Sequence, residues 1–145
     1  MSEPIDTVDQ NILKILQDDA RISFINIARQ LELSESTIRH RISRLEDNGI
    51  IKKYSIIVDP KKIGYHGVAV VGLDVEPSQF LTVAMQLTEM SEIRTVSTTT
   101  GDHMIMCEVW LRDGIELAKF VTERLSGIDG VTKICPAIIH EYLKV

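Results

Sequence analysis

Cysteine is scarce in this 145-residue chain: Cys107 and Cys135 are the only two, they have no C-x-x-C spacing, and neither a disulfide framework nor a zinc ribbon is written in them. Both lie in apolar, strand-like stretches and read as reduced, packed thiols of a cytoplasmic protein. No apolar run approaches the roughly twenty residues that a bilayer crossing requires. Glu3, Asp6 and Asp9 stand where an export signal would carry positive charge, so no membrane partner is expected. A phosphate-binding glycine loop and a G-x-S-x-G elbow are both missing, and His40, His66, His103 and His140 show no ligand spacing. His103, Met104, Met106 and Cys107 could suggest a soft-metal site, but strand alternation puts Met104 and Met106 on one face and His103 and Cys107 on the other. Packing is the expectation there, with no metal, no cofactor and no catalysis. Aromatics make up 5% of the chain and hydrophobic residues 44%, enough to build cores without staples.

Residues 33–49 are the most informative stretch. Ser34 is a good helix N-cap and Gly49 suits the left-handed residue that ends a helix. At 100° per residue, Ile38, Ile42 and Leu45 form one narrow stripe, while Ser36, Thr37, His40 and Arg44 point the other way, flanked by Arg39 and Arg41. Guanidinium forks bind phosphates or the O6/N7 edge of guanine, and small hydroxyls allow close approach, so this outward face has the groups that reading duplex DNA requires. An ordinary amphipathic helix with a solvated basic side would carry the same pattern, and the upstream sequence favours the first reading. Asp6 or Thr7 caps a first helix with Ile12, Leu13, Ile15 and Leu16 at helical spacing, ending near Asp18. A second runs from about Ser23 or Phe24 to Gln30 with Ile27, Ala28 and Leu31 inward, leaving only a short turn before the third. That is helix–turn–helix spacing. The β-branched run Ile50 to Val58, with Lys52 and Lys53 interleaved, suits a two-stranded wing or a strand returning along the domain.

Several motifs in one order carry a family resemblance: Asp9-Gln10-Asn11-Ile12-Leu13, Asp19-Ala20-Arg21-Ile22-Ser23, Ile27-Ala28, Leu33-Ser34, Arg41-Ile42-Ser43-Arg44-Leu45-Glu46, Gly49-Ile50-Ile51, Tyr54 and Pro60 through Gly64. The chain resembles the Lrp/AsnC family of prokaryotic transcriptional regulators over its whole length. The resemblance implies double-stranded DNA as a partner and an amino acid as effector.

Formal charge is −5, which looks wrong for a DNA binder until it is divided. Residues 1–62 hold ten basic and ten acidic residues, leaving six and eleven beyond them, so the acid is concentrated in the second half. Phosphate contacts per subunit are then few, and affinity must come from placing two or more recognition helices on one DNA. Homodimers or larger homo-oligomers are expected, bound to a partly palindromic operator.

The second half supplies the pairing. Residues 67–75 read as a strand, Pro77 to Met90 as a helix, Ile93 to Thr100 and His103 to Arg112 as strands, Gly114 to Leu125 as a helix and Val131 to Tyr142 as a last strand. The fold class is α+β: a winged helix–turn–helix domain over residues 1–59, a connector over 60–66, and a ferredoxin-like β-α-β-β-α-β sandwich over 67–145 for oligomerisation and effector binding. Both helices of that sandwich cover one sheet face, yet Met104, Met106 and Trp110 make the other face apolar, so it is the expected dimer interface. Pro136 fits an edge strand.

In the resembled family an effector motif follows the second strand: Gly-Asp, then a further aspartate three residues after the glycine. This chain matches it at Gly101 and Asp102 but carries Met104 at the last position. Thr99, Thr100, Gly101, Asp102, His103 and Met104 are the expected effector residues, Asp102 meeting the ammonium and Met104 favouring an uncharged or apolar side chain. An ordinary hairpin turn would also place glycine and aspartate there. Two other functions remain compatible: a ligand-binding or enzyme-regulating ferredoxin-like module, and an architectural DNA-compacting protein.

Overall fold

Residues 4–145 are described by the structure, a computed structural model. Helix α1 (Thr7–Asp18) begins where two aspartates satisfy each other's backbone: Asp6 accepts the Asp9 N–H at 2.8 Å and Asp9 accepts that of Asp6 at 3.2 Å. Helix α2 (Phe24–Leu31) is capped by Ser23, and α3 (Glu35–Asp47) by Ser34, whose hydroxyl accepts the Thr37 N–H at 3.1 Å. Gly49 takes the left-handed conformation past the end of α3 (φ 67°), where a Cβ would be strained. Ile12 and Leu16 of α1, Ile27 and Ala28 of α2, and Ile38, Ile42 and Leu45 of α3 make one buried core.

The turn between α2 and α3 rests on Glu32, left-handed at φ 55° and ψ 42°, and on the Leu33 N–H, which donates to the Ala28 carbonyl at 2.9 Å. Beyond Gly49, the expected wing strand is absent among the described residues. Ile56 and Ile57 are 79% and 71% exposed, and the segment joins no ladder. β-Branched composition favours a strand only where a partner strand supplies the hydrogen bonds and the packing.

The chain divides into two compact units, the first ending at Ile56 and the second running Ile57–Val145. Residues 57–66, expected as the end of the first domain and a connector, therefore belong with the second unit. Lys61–Ile63 form a 3-10 turn, and the Tyr65 and His66 N–H groups donate to the carbonyls of Pro60 and Arg112, each at 2.9 Å.

In the second unit, β1 (Gly67–Val75) leads through a 3-10 turn at Pro77–Gln79 into α4 (Phe80–Thr88), then β2 (Ile93–Thr98), β3 (Ile105–Leu111), α5 (Gly114–Lys119) and β4 (Val131–Ile138). The order β2-β3-β1-β4, with every neighbour antiparallel, is the ferredoxin-like arrangement that the spacing predicts. Pro136 sits on edge strand β4. The helix expected over 114–125 changes character at Phe120, where a π-helical turn takes over to Leu125 and the Ser126 N–H reaches back five residues to Val121 at 3.2 Å.

Ala69, Val71, Leu73 and Val75 of β1 and Ile105, Cys107, Val109 and Leu111 of β3 are buried in one cluster with Val83, Leu87, Leu117, Phe120 and Leu125 from the helical side. Register then puts Val70, Gly72 and Asp74 of β1 on the second face beside Glu108 and Met106 of β3. One expectation is corrected here: Met104 does not share that face with Met106 and Trp110. Pairing in β3 starts only at Ile105, so the alternation cannot be carried back to residue 104, and Met104 packs against the helix-side core. His103 lies instead over Gly72 on the second face, in space that a Cβ at position 72 would fill.

A side chain bearing φ 55° costs free energy that glycine does not, so Glu32→Gly should stabilise the first unit by about 1 kcal/mol. Urea denaturation of the full chain followed by helical circular dichroism measures it; a lower midpoint would show instead that the Glu32 side chain contributes to the turn.

Candidate nucleic-acid interface

Ser36, His40 and Ser43 recur at spacings of four and three along α3, and all three are exposed. Arg39 flanks them, its side chain 63% exposed, paired with Glu35 one turn back at 2.6 Å and with its guanidinium 5.0 Å from the centre of the Phe24 ring of α2. The latter contact steadies the arginine without hiding it. Thr37 is half-buried, with its hydroxyl 2.7 Å from the capping Ser34 Oγ. Of the expected DNA-facing residues, then, Ser36, Arg39 and His40 stand on the outer face. Ser43 stands with them and was missed, although it continues the same spacing.

Arg41 and Arg44 are corrected: neither points freely outward. Arg41 donates to Asp6 at 2.7 Å and to Asp9 at 2.9 Å, and Arg44 donates to the second carboxylate oxygen of Asp9. Asp9 itself has no solvent exposure. Both arginines fall on the flank of α3 that turns to the first turn of α1, where a buried carboxylate requires cations. A sign of this is present in the sequence, since Asp9 lies three and seven residues before Ile12 and Leu16 and so shares their inward stripe.

On the second sheet face of the other unit, the Trp110 ring is 5.7 Å from that of Tyr65, and Arg94 lies 4.7 Å above the indole. The indole N–H donates to Glu108 at 2.6 Å, and the Tyr142 hydroxyl donates to the same carboxylate oxygen. Burial and then that carboxylate push the Tyr142 hydroxyl up to about 12. His103 Nδ1 is buried, makes no hydrogen bond and lies 3.4 Å from Asp74 Oδ1. Thr99, Thr100, Gly101 and Asp102 are exposed in the loop before β3, with the Thr99 hydroxyl donating to the His103 carbonyl at 2.6 Å. A cavity of about 580 Å³, lined by Ile57, Pro60, Lys61, Val68, Ile139 and Tyr142 among others, lies at the opposite end of β1; none of the expected effector residues lines it. Cys107 is buried, which raises its thiol to about 11, and Cys135 is free and half-buried. No helix among the described residues is long and apolar enough to cross a membrane.

Comparison with known proteins joins the two halves. A family model described as winged helix-turn-helix DNA-binding matches residues 5–52, and the Lrp/AsnC ligand binding domain matches residues 68–144. The HTH-type transcriptional regulator LrpA of Pyrococcus horikoshii is 46% identical over 140 residues, covering 97% of this chain and 99% of its own. The chain belongs to the Lrp/AsnC family of transcriptional regulators. Among solved structures of the Lrp/AsnC fold, AsnC of E. coli is 25% identical with a TM-score of 0.84 over 99% of this chain and 97% of its own. A Neisseria meningitidis regulator solved as its L-Met complex shares the fold at 21% identity, with a TM-score of 0.86 over 98% and 94%.

The Asp9 N–H, foremost, and the Arg41 guanidinium hold the Asp6 carboxyl below its ordinary value of 3.8. A carboxylate so lowered stabilises the fold above its unfolded value, and that contribution is lost as pH falls through the folded one. Asparagine caps a helix equally well, so Asp6→Asn can keep the cap while removing the charge and the oxygen that accepts from Arg41. Wild type should melt higher than Asp6→Asn at pH 7 and 5, with the gap closing as pH drops below about 4. Thermal melts across that range decide the matter, since a gap that stays constant would show that the charge contributes nothing.

Proposed function

We propose that this Lrp/AsnC regulator binds a partly palindromic operator as a cytoplasmic homodimer or larger homo-oligomer, reading bases through the outer face of α3. One observation carries the reading: Ser36, Arg39, His40 and Ser43 stand exposed together on a helix capped at both ends and seated on a three-helix core. Thr37 borders them. The sheet face bearing Met106 and Trp110, which lies away from α4 and α5 of the same unit, is the surface expected to pair subunits. An amino acid with an uncharged side chain is the proposed effector, held at the loop of Thr99 to Met104, with Asp102 facing its ammonium. The match of residues 68–144 to a ligand binding domain supports that part, as does the L-Met complex of the Neisseria protein.

Operator sequences selected from random duplex DNA, followed by fluorescence anisotropy over a salt series, test the reading. Arg39→Ala and His40→Ala should each weaken operator binding by about 1–3 kcal/mol if they touch bases, and lower the salt slope by about one unit if they touch phosphate. Failure of the wild type to bind any duplex at low salt would sink the proposal and favour a ligand module, whereas a steep salt slope without sequence preference would favour an architectural protein. Sedimentation of the same samples with each common amino acid checks the rest. Wild type should run as a dimer or larger and Trp110→Glu as a smaller species, and Asp102→Ala should lose any amino-acid response; a monomeric wild type rejects the interface.

A further inference from the structure

We propose that Arg41 and Arg44 are positioning residues that clamp the DNA-facing helix to α1 through Asp9, and that neither touches the duplex. This rests on the reading of α3 as the helix that meets DNA. Both oxygens of Asp9 are engaged, Oδ1 by Arg41 at 2.9 Å and Oδ2 by Arg44 and by the Asp6 N–H at 3.2 Å, in a position with no solvent exposure. The same Arg41 Nη1 also donates to Asp6 at 2.7 Å, while the other Asp6 oxygen caps α1. The first turn of α1 is thus a pair of carboxylates that receives two cations from α3, at positions 41 and 44. For either arginine to exchange Asp9 for a phosphate would strand a buried anion, which is far costlier than the exposed contact it would gain. Arg39 contrasts with both: among the described residues its ion pair is with Glu35 on its own helix, and it is the most exposed of the three arginines, at 63% against 24% and 26%.

The clamp controls where α3 sits, so its loss should damage base reading before it damages phosphate attraction. Asp9→Asn keeps both arginines and nearly the same shape while removing the charge that holds them. Measured with the full chain at a temperature where circular dichroism shows it folded, Asp9→Asn should lower the preference for the selected operator over random duplex by about tenfold, with affinity for random duplex unchanged. Asp9→Glu, which restores the charge, should recover part of that preference. If the arginines are themselves DNA contacts, releasing them from Asp9 strengthens binding and steepens the salt slope, and that result overturns the proposal. A purely structural role also fails it, by leaving the preference intact in the folded variant.

A second variant reads the contacts directly. In Asp9→Leu/Arg41→Met/Arg44→Met the charges are removed together, so no buried ion is stranded, and the salt slope should stay at the wild-type value; a slope shallower by about one unit per arginine would identify phosphate contacts. Should the triple variant not fold, guanidinium N–H resonances of the wild type give the same answer. Those of Arg41 and Arg44 should keep their shifts and slow exchange when operator DNA is added while that of Arg39 moves; movement of all three refutes the assignment. A wild type that prefers no duplex would remove the reading beneath this one, whereas a binding wild type with failed variants removes this one alone.

Discussion

The central strand pair decides what the second unit can do. β1 and β3 put Val71, Leu73, Ile105 and Val109, all without solvent exposure, against the helices. Each such side chain contributes about 1.5–3 kcal/mol on burial, so the pleat has one register in which these residues are covered, and a slip of one would expose them all. Both helices are consumed in sealing that side. The opposite side keeps a mixed surface, where Glu108 is satisfied by an indole and a phenol and the Tyr65 and Trp110 rings meet under Arg94. Such a face is ordered by its own polar and aromatic contacts, and it is the one proposed above to pair subunits.

Charge arithmetic in the first unit is tighter than its neutral total suggests. Arg41 and Arg44 are offset by Asp6 and Asp9, and Arg39 is shared with Glu35. Few cations remain on α3 to attract phosphate, so the proposed operator reading leans on a sequence-dependent fit. Two linked helices on one duplex recover affinity through effective concentration without adding charge. The acidic second half opposes non-specific adhesion further.

Much of this was legible in the sequence because the signals are local. Ser34, the stripe of Ile38, Ile42 and Leu45, and Gly49 specify α3 by themselves, and the alternation and spacing after Gly67 specify the sheet order. What was not legible depends on partners far along the chain. A helical wheel shows that Arg41 and Arg44 avoid the apolar stripe, but not that a carboxylate more than thirty residues earlier faces them. His103 and Met104 exchanged sides because alternation was carried past the first paired residue of β3, and because the bare backbone at Gly72 admits an imidazole. The segment from Ile50 to Val58 has strand composition and no strand to pair with. Nothing in the apolar pattern of 114–125 marks the change to π-helical geometry at Phe120.

Trp110 is the chain's single tryptophan, and it lies on the sheet face away from α4 and α5, with a guanidinium above its ring and a carboxylate on its N–H. Its emission is therefore set by one small neighbourhood in the second unit, and the first unit contributes no indole signal at all. Exclusion of water from that face would shift the emission to shorter wavelength, while disturbance of the Arg94 or Glu108 contacts would change its intensity. The molecule carries its own optical gauge of whatever comes to rest on the sheet.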